Sequence, residues 1–222
     1  MKAMILAAGR GTRLRAYTDR MPKPLVPVQG RPVIDHTLHR LAAMGLRQVV
    51  INAWHLADLL MAHIGDGSAW GLQVTWSRET VLMETGGGLR QALPLLGEEP
   101  FLVINGDILW NLDLTPLLTA FAPASMDALL ALVDNPLAEH GDFALTDDGR
   151  LRRDRESPNA LTYAGIQVCH PHALAPYPCE PFSLNRLFDD SMAKGRLYGL
   201  HLTGAWADIG TPERLAHAEK NW

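Results

Sequence analysis

Cysteine is scarce in this sequence, with two in 222 residues. That excludes a disulfide framework and makes a reducing, cytoplasmic compartment the expected one. Cys169, His170, His172 and Cys179 fall close together, but Pro171, Pro176, Pro178 and Pro181 interrupt them. Their spacing matches no common zinc pattern, so a strand end and a proline-rich loop are expected there. Excess positive charge is missing too: 20 Lys and Arg stand against 24 Asp and Glu, a net charge of −4. No basic footprint points to a nucleic-acid partner, and any phosphate binding must be local. No apolar run approaches the length of a membrane span, so no membrane partner is expected. Met1-Lys2 leads straight into a core strand, which does not read as a signal peptide. Internal repeats, low-complexity tracts and linkers are also lacking. So are a nucleophile elbow, a catalytic dyad and a catalytic histidine: His55 and His63 fall near the ends of an expected helix, where surface or capping roles suffice.

What is there is 47% hydrophobic and 20% charged, enough apolar residue for one large globular domain spanning positions 1–222. Short apolar runs alternate with helical periodicity. Strands are expected at Ile5–Ala7, Val49–Ile51, Leu72–Trp76, Phe101–Ile104, Ala128–Val133, Thr162–Val168 and Leu197–Leu202. Helices are expected at Pro32–Met44, His55–Ile64, Leu89–Leu96, Thr115–Phe121, Ser183–Ala193 and Pro212–Lys220. From Gly141 the pattern changes to a hairpin, Asp142–Leu145 and Leu151–Arg153 around Asp147-Asp148-Gly149. The fold class is α/β: a mixed, mainly parallel central sheet flanked by helices, with a small β-rich subregion.

The most informative stretch is Leu6-Ala7-Ala8-Gly9-Arg10-Gly11-Thr12-Arg13-Leu14, followed by Pro22-Lys23-Pro24-Leu25. Small residues after a buried strand let backbone N–H groups approach a ligand, and Arg13 and Lys23 add cations, which makes a polyphosphate cradle. The loop is not a dinucleotide fingerprint, because Leu14 stands where a third glycine is needed and no helix opens directly after it. Nor is it a P-loop, since Lys23 comes too late and no Ser or Thr follows it. Downstream, Glu84-Thr85-Gly86-Gly87-Gly88 opens a helix in a manner that favours close ligand approach, with Thr85 suited to an N-cap. Asn105-Gly106-Asp107 puts a carboxylate at the C-terminal edge of a buried strand, where α/β sheets bind ligands.

The loop and the Pro-Lys-Pro-Leu segment together resemble the sugar-phosphate nucleotidyltransferases, which make nucleotide sugars from a nucleoside triphosphate and a sugar 1-phosphate. Trp206-Ala207-Asp208-Ile209-Gly210-Thr211-Pro212 is a further match, so the resemblance runs essentially end to end. It implies a Rossmann-like nucleotidyltransferase fold. Ala7, Ala8, Gly9, Gly11, Thr12, Arg13, Lys23, Glu84, Thr85 and Gly86 would bind nucleotide. Asn105, Asp142, Glu156, Thr162 and Gly165 would bind the sugar phosphate. Asp107 and Asp208 would hold Mg2+, and Arg13, Lys23 and Asp107 would be the catalytic set, with Arg13 on the leaving pyrophosphate. Larger relatives carry an added C-terminal β-helix that is not seen here, so a single activity and a monomer are expected.

Within the family the chain is most similar to short enzymes that join uridine triphosphate to N-acetylmuramate 1-phosphate in peptidoglycan recycling. The similarity lies in Ile51-Asn52-Ala53-Trp54, Glu84-Thr85-Gly86-Gly87-Gly88, Val133-Asp134-Asn135-Pro136 and Gly141-Asp142-Phe143. A thymidylyltransferase-type Glu-Lys-Pro is replaced by Glu156-Ser157-Pro158, which leaves Lys23 as the candidate cation for the sugar phosphate. Arg153, Arg155 and Arg186 are the candidate partners for a lactyl carboxylate. The alternatives are another nucleotide–sugar pairing (GTP, CTP or dTTP with mannose, heptose or glucose 1-phosphate) and a non-catalytic nucleotide-sugar sensor.

Overall fold

The computed structural model describes residues 1–154, 157 and 159–222. Glu156 and Arg155 lie outside the described residues. Strand β1 (Ala3–Leu6) is the middle of the sheet. Strands β2 (Pro27–Val28) and β3 (Arg31–Pro32) form a small separate ribbon. β4 (Gln48–Ala53) and β6 (Phe101–Asn105) flank β1 in parallel, with Ile5 beside both Ile51 and Ile104, and β5 (Gln73–Arg78) lies outside β4. β1, β4 and β6 read as near-continuous apolar runs because both their faces are covered. Ile5, Ile51 and Ile104 point to α2 (Val33–Ala43), α3 (Ala57–Ile64) and α5 (Thr115–Ala120). Met4, Val50 and Val103 point the other way, to α4 (Glu84–Leu96), α6 (Pro171–Leu174) and α7 (Leu184–Ala193).

Beyond β6 the sheet turns antiparallel. The strand β11 (Ala160–Cys169) runs against β6 and against β8 (Ala128–Val133), which pairs in parallel with β12 (Leu197–His201). The expected hairpin is present as β9 (Phe143–Leu145) and β10 (Leu151–Arg152), extending from the N-terminal half of β11. Among the described residues the sheet therefore has nine strands, mixed and flanked by helices on both faces.

Several local features depart from the sequence expectation, among them a helical turn at Thr12–Leu14 that runs into a short helix directly after the first loop, where none was expected. A strand β7 (Ile108–Leu112) follows Asp107 and pairs antiparallel with β13 (Gly204–Asp208), so the two candidate metal ligands sit at one end of a single ribbon. Residues 108–112 are buried except Asn111 and show no period-2 signal, which is why no strand was expected there. Helix α4 opens at Glu84 rather than Leu89 and takes all three glycines into its first turns. The proline-rich stretch after Cys169 contains the short helix α6, with Pro171 in its first turn. The short helix α1 (Arg15–Thr18) follows the phosphate loop, and α8 (Pro212–Asn221) closes the chain with Thr211 as its N-cap. Leu215 and Ala218 of α8 pack on Leu14, Val26, Val28 and Ile209, which ties the end of the chain to the first loop.

Candidate active site

Two cavities meet above the C-terminal ends of β1 and β6. The first, about 390 Å³, is bounded by Ala7, Ala8 and Gly9, by Lys23, and by Glu84 and Thr85. The second, about 260 Å³, lies toward β11 and β13, against Asp142, Thr162, Gly165, Arg13, Asp208 and Arg214. Asn105 and Asp107 line both. Of the residues expected at the nucleotide, Gly11, Thr12, Arg13 and Gly86 are absent from the wall of the first cavity.

The two loop glycines do different jobs. A methyl on Gly9 would meet nothing within 4 Å, so its backbone stays open to a ligand. Gly11 has φ +63°, and a Cβ there would meet the Thr18 side chain at 2.8 Å and Lys23 Cβ at 3.2 Å. Its glycine serves the turn and the seating of Lys23. Thr18 Oγ1 also donates to the Gly11 carbonyl, 2.9 Å away. Thr12 lines a separate recess with Arg10 and Arg15.

The Gly86-Gly87-Gly88 run corrects the expectation of ligand approach. A Cβ on Gly86 would meet the Phe182 ring at 2.3 Å, one on Gly87 the Glu180 carbonyl oxygen at 2.4 Å, and one on Gly88 the Asn52 amide at 2.7 Å. The glycines let α4 press against the segment before α7, and the Gly86 and Gly87 N–H groups donate to the Phe182 carbonyl. Thr85 is not the N-cap of α4. Its Oγ1 accepts from the Leu184 N–H of α7, at 2.9 Å. Glu84 starts α4 at φ +58°, in the left-handed region that glycine favours, and lines the first cavity.

Beneath the cavity runs a buried polar chain that the sequence did not announce. Asn52 Oδ1 accepts from the Ala7 N–H (2.7 Å), and its Nδ2 donates to Glu79 Oε1 (2.7 Å). Glu79 Oε2 accepts from the Met83 N–H (2.9 Å). The start of the phosphate loop is thus joined through two side chains to the start of the Glu84 segment. Burial pushes the Glu79 carboxyl above its ordinary range, against the pull of the Met83 and Asn52 hydrogen bonds.

Lys23 is buried and forms an ion pair with Asp107 Oδ2. Asp208 accepts from Nη1 of Arg214 at 2.8 and 3.0 Å and from the Gly210 N–H at 2.8 Å. A methyl on Gly210 would meet Asp208 Oδ1 at 2.7 Å and the Arg13 guanidinium at 3.3 Å, so this glycine leaves room for both side chains. Arg13 therefore stands on the wall of the second cavity. The Ile209 N–H donates to the Asp107 carbonyl (3.1 Å), locking the two acidic segments together. Two carboxylates on one cavity wall suit a hard cation that keeps waters and takes phosphate oxygens. Asp107 Oδ1 has no hydrogen-bond partner among the described residues, so the donor set fits Mg2+.

On the far wall, Gly165 has φ +73° at an irregularity of β11 between Tyr163 and Gln167, and a Cβ there would meet Asn105 at 2.8–3.1 Å. Asp142 Oδ2 accepts from the Tyr163 N–H at 2.9 Å, and Trp206 Nε1 donates to the Ala164 carbonyl at 2.8 Å. Trp206, unexplained by sequence, thus pins the ribbon to this bulge.

A profile of the nucleotidyl transferase family matches residues 2–162. The chain belongs to that family. It is 41% identical to the N-acetylmuramate alpha-1-phosphate uridylyltransferase of Neisseria meningitidis, over 99% of this chain and 97% of that one. It is 39% identical to the Caulobacter vibrioides enzyme of the same name, over 98% and 95%. HddC from Yersinia pseudotuberculosis, solved with GMP-PN, superposes with a TM-score of 0.84 at 22% identity, covering 99% of this chain and 98% of that one, and it shares the fold.

For this nucleotidyl transferase, then, the sequence motifs divide between the two cavities with Asp107 at their junction. Asn52, Glu79 and Arg214 were missed because an isolated Asn, Glu or Arg carries no local signal until the fold places it. Of the lactyl-carboxylate candidates, Arg153 lies against Asp189 and Asn185, and Arg186 over the Tyr177 ring; neither lines either of these two cavities. Cys169 ends β11, where burial pushes its thiol up to about 12, and Cys179 is exposed in the segment after α6.

Proposed function

We propose that this nucleotidyl transferase moves a uridylyl group from UTP to N-acetylmuramate 1-phosphate, giving UDP-N-acetylmuramate and pyrophosphate. The observation that carries the reading is the meeting of two cavities at Asn105 and Asp107. One holds a triphosphate along Ala7–Gly9 and Lys23, and the other holds the sugar phosphate against Thr162 and Gly165. An acceptor phosphate oxygen attacks the α-phosphorus, a new P–O bond forms, and the bond to the β-phosphate oxygen breaks, releasing pyrophosphate. The monoester is already largely ionised near pH 7, its second pKa being about 6, so no general base is needed. The obstacle is the approach of two anions, and the chain answers it with position and charge. Lys23 faces the α-phosphate, the backbone of Ala8 and Gly9 takes the triphosphate oxygens, and Arg13 offsets charge at the junction. Mg2+, held by Asp107 and Asp208, supplies charge neutralisation and alignment of the phosphates when bound. The two uridylyltransferase relatives support the choice of nucleotide and sugar. The setting is the cytoplasm, where UTP is made, and the chain acts as a monomer; no described helix is long and apolar enough to cross a membrane.

The test is pyrophosphate release with UTP and Mg2+, offering the 1-phosphates of N-acetylmuramate, N-acetylglucosamine, glucose and mannose in turn. Turnover with the muramate substrate far above the others is expected. Activity only with another triphosphate or sugar would overturn the substrate assignment, and silence with every triphosphate would overturn the reaction.

A further inference from the structure

We propose that Arg214 is the side chain that receives a carboxylate on the acceptor sugar, so that this site selects a sugar 1-phosphate bearing a second anion. The inference rests on the muramate reading above and adds the residue that enforces it. An acceptor with both a phosphate and a carboxylate brings two separated negative groups into the second cavity. That cavity already holds Asp107, Asp142 and Asp208 on its walls. A carboxylate set among them would be repelled and desolvated unless a donor-rich cation stood within reach. Among the described residues, the guanidinium groups on this cavity are those of Arg13 and Arg214. Arg13 lies at the reacting end, beside Gly210 and one residue after Thr12. Arg214 rises from the first turn of α8, its N–H held by Thr211 Oγ1 at 3.3 Å.

The Arg214 side chain is oriented without being used up. Only its Nη1 meets Asp208, bridging both oxygens, and the side chain stays about one-third exposed at 32%. Nε and Nη2 make no hydrogen bond among the described residues. A guanidinium presents five N–H donors in a planar fork that matches a carboxylate. With one nitrogen pinned by Asp208, the others are fixed in direction, and little side-chain freedom is left to lose on binding. Arg153 and Arg186 are spent elsewhere, on Asp189 with Asn185 and on the Tyr177 ring. His140, the other basic group on the wall, stands beside Glu139.

The experiment compares kcat/KM for N-acetylmuramate 1-phosphate and N-acetylglucosamine 1-phosphate, which lacks the lactyl carboxylate, in the wild type, Arg214→Gln and Arg214→Lys. Binding of each sugar phosphate without UTP is followed in parallel by the shift in unfolding temperature. Both rates fall in Arg214→Gln to whatever extent Arg214 steadies Asp208. The muramate-to-glucosamine ratio is expected to fall by a further factor of about 10–100, the worth of a charge-assisted hydrogen-bond pair. Arg214→Lys should keep part of the ratio, since it retains charge and loses the fork. The two binding shifts should converge in Arg214→Gln. A ratio unchanged in Arg214→Gln, with both rates falling together, overturns the assignment and leaves Arg214 as a support for Asp208. A wild type that shows no preference for the muramate substrate in rate or binding overturns the muramate reading itself, and this inference with it.

Discussion

At the scale of single residues, Asp107 and Asp208 face the same junction but carry different partners, Lys23 and Arg214. Replacing Asp107 with Asn keeps the shape and removes the charge. Turnover should drop by about 10²-fold or more, as when a preorganised electrostatic contact to a reacting group is lost, and the unfolding temperature should fall as well, because buried Lys23 loses its counter-charge. Turnover within a few-fold of wild type would remove Asp107 from the reaction. Glu84 offers a different contrast. Its φ of +58° costs about 1–3 kcal/mol for a residue with a side chain, so Glu84→Gly should not destabilise the fold, yet it should weaken discrimination among nucleoside triphosphates. Equal triphosphate preference in wild type and Glu84→Gly would show that Glu84 does not read the base. Glu79 titrates against its surroundings. Its carboxyl is raised above the ordinary 4.5 by burial, so between that pH and its folded value the native state binds more protons than the unfolded chain. Its contribution to stability is greatest in acid and is lost as pH rises through that window. The unfolding free energy of wild type minus that of Glu79→Gln should therefore shrink as pH increases, and denaturant midpoints at several pH values would show it.

At the scale of elements, the site depends on two joints. One is the glycine-lined seam of α4 against the segment before α7, where Thr85 accepts from Leu184. The other is the Trp206 tie between β13 and the bulge at Gly165. Gly165→Ala would force a methyl to within 2.8 Å of the Asn105 amide at a left-handed position. We expect a loss of about 1–3 kcal/mol in stability and a higher KM for the sugar phosphate with a smaller change in the KM for UTP. An equal rise in both KM values would mean the bulge serves the whole sheet rather than the sugar side. The ribbon of β7 and β13 was not legible beforehand, because a buried strand of mixed residues and a motif-bearing loop give no pairing signal until they meet. Helix α4 was placed five residues late for a related reason: a glycine run disfavours helix locally, and packing against Phe182 and Glu180 overrides it.

At the scale of the whole molecule, both carboxylates are paired with cations that the chain itself supplies, Lys23 and Arg214. Chelating Mg2+ should abolish turnover while leaving the unfolding temperature nearly unchanged, in contrast to domains whose metal is part of the folded core. A drop of many degrees on chelation would show that the ion is structural. The order of the chain along the sheet explains how remote segments converge: β1, β4 and β6 run parallel and deliver their loops to one edge, while α8 packs its Leu215 against Leu14 and so returns Asp208 to the first loop.

The sequence alone determined the alternating α/β layout, the glycine-rich first loop, and the motifs that carry Asp107 and Asp208, because each is written in contiguous residues through periodicity, small side chains or a fixed local spacing. Only the tertiary structure decided that Gly11 and the triplet at 86–88 serve packing rather than ligand approach. It alone revealed the link from Ala7 through Asn52 and Glu79 to Met83, and the standing of Arg214, rather than Arg153 or Arg186, on the sugar-side cavity. Those relations join residues far apart in the chain, and the donors, acceptors and close contacts that define them exist only once the sheet has brought them within about 3 Å, the reach of a hydrogen bond.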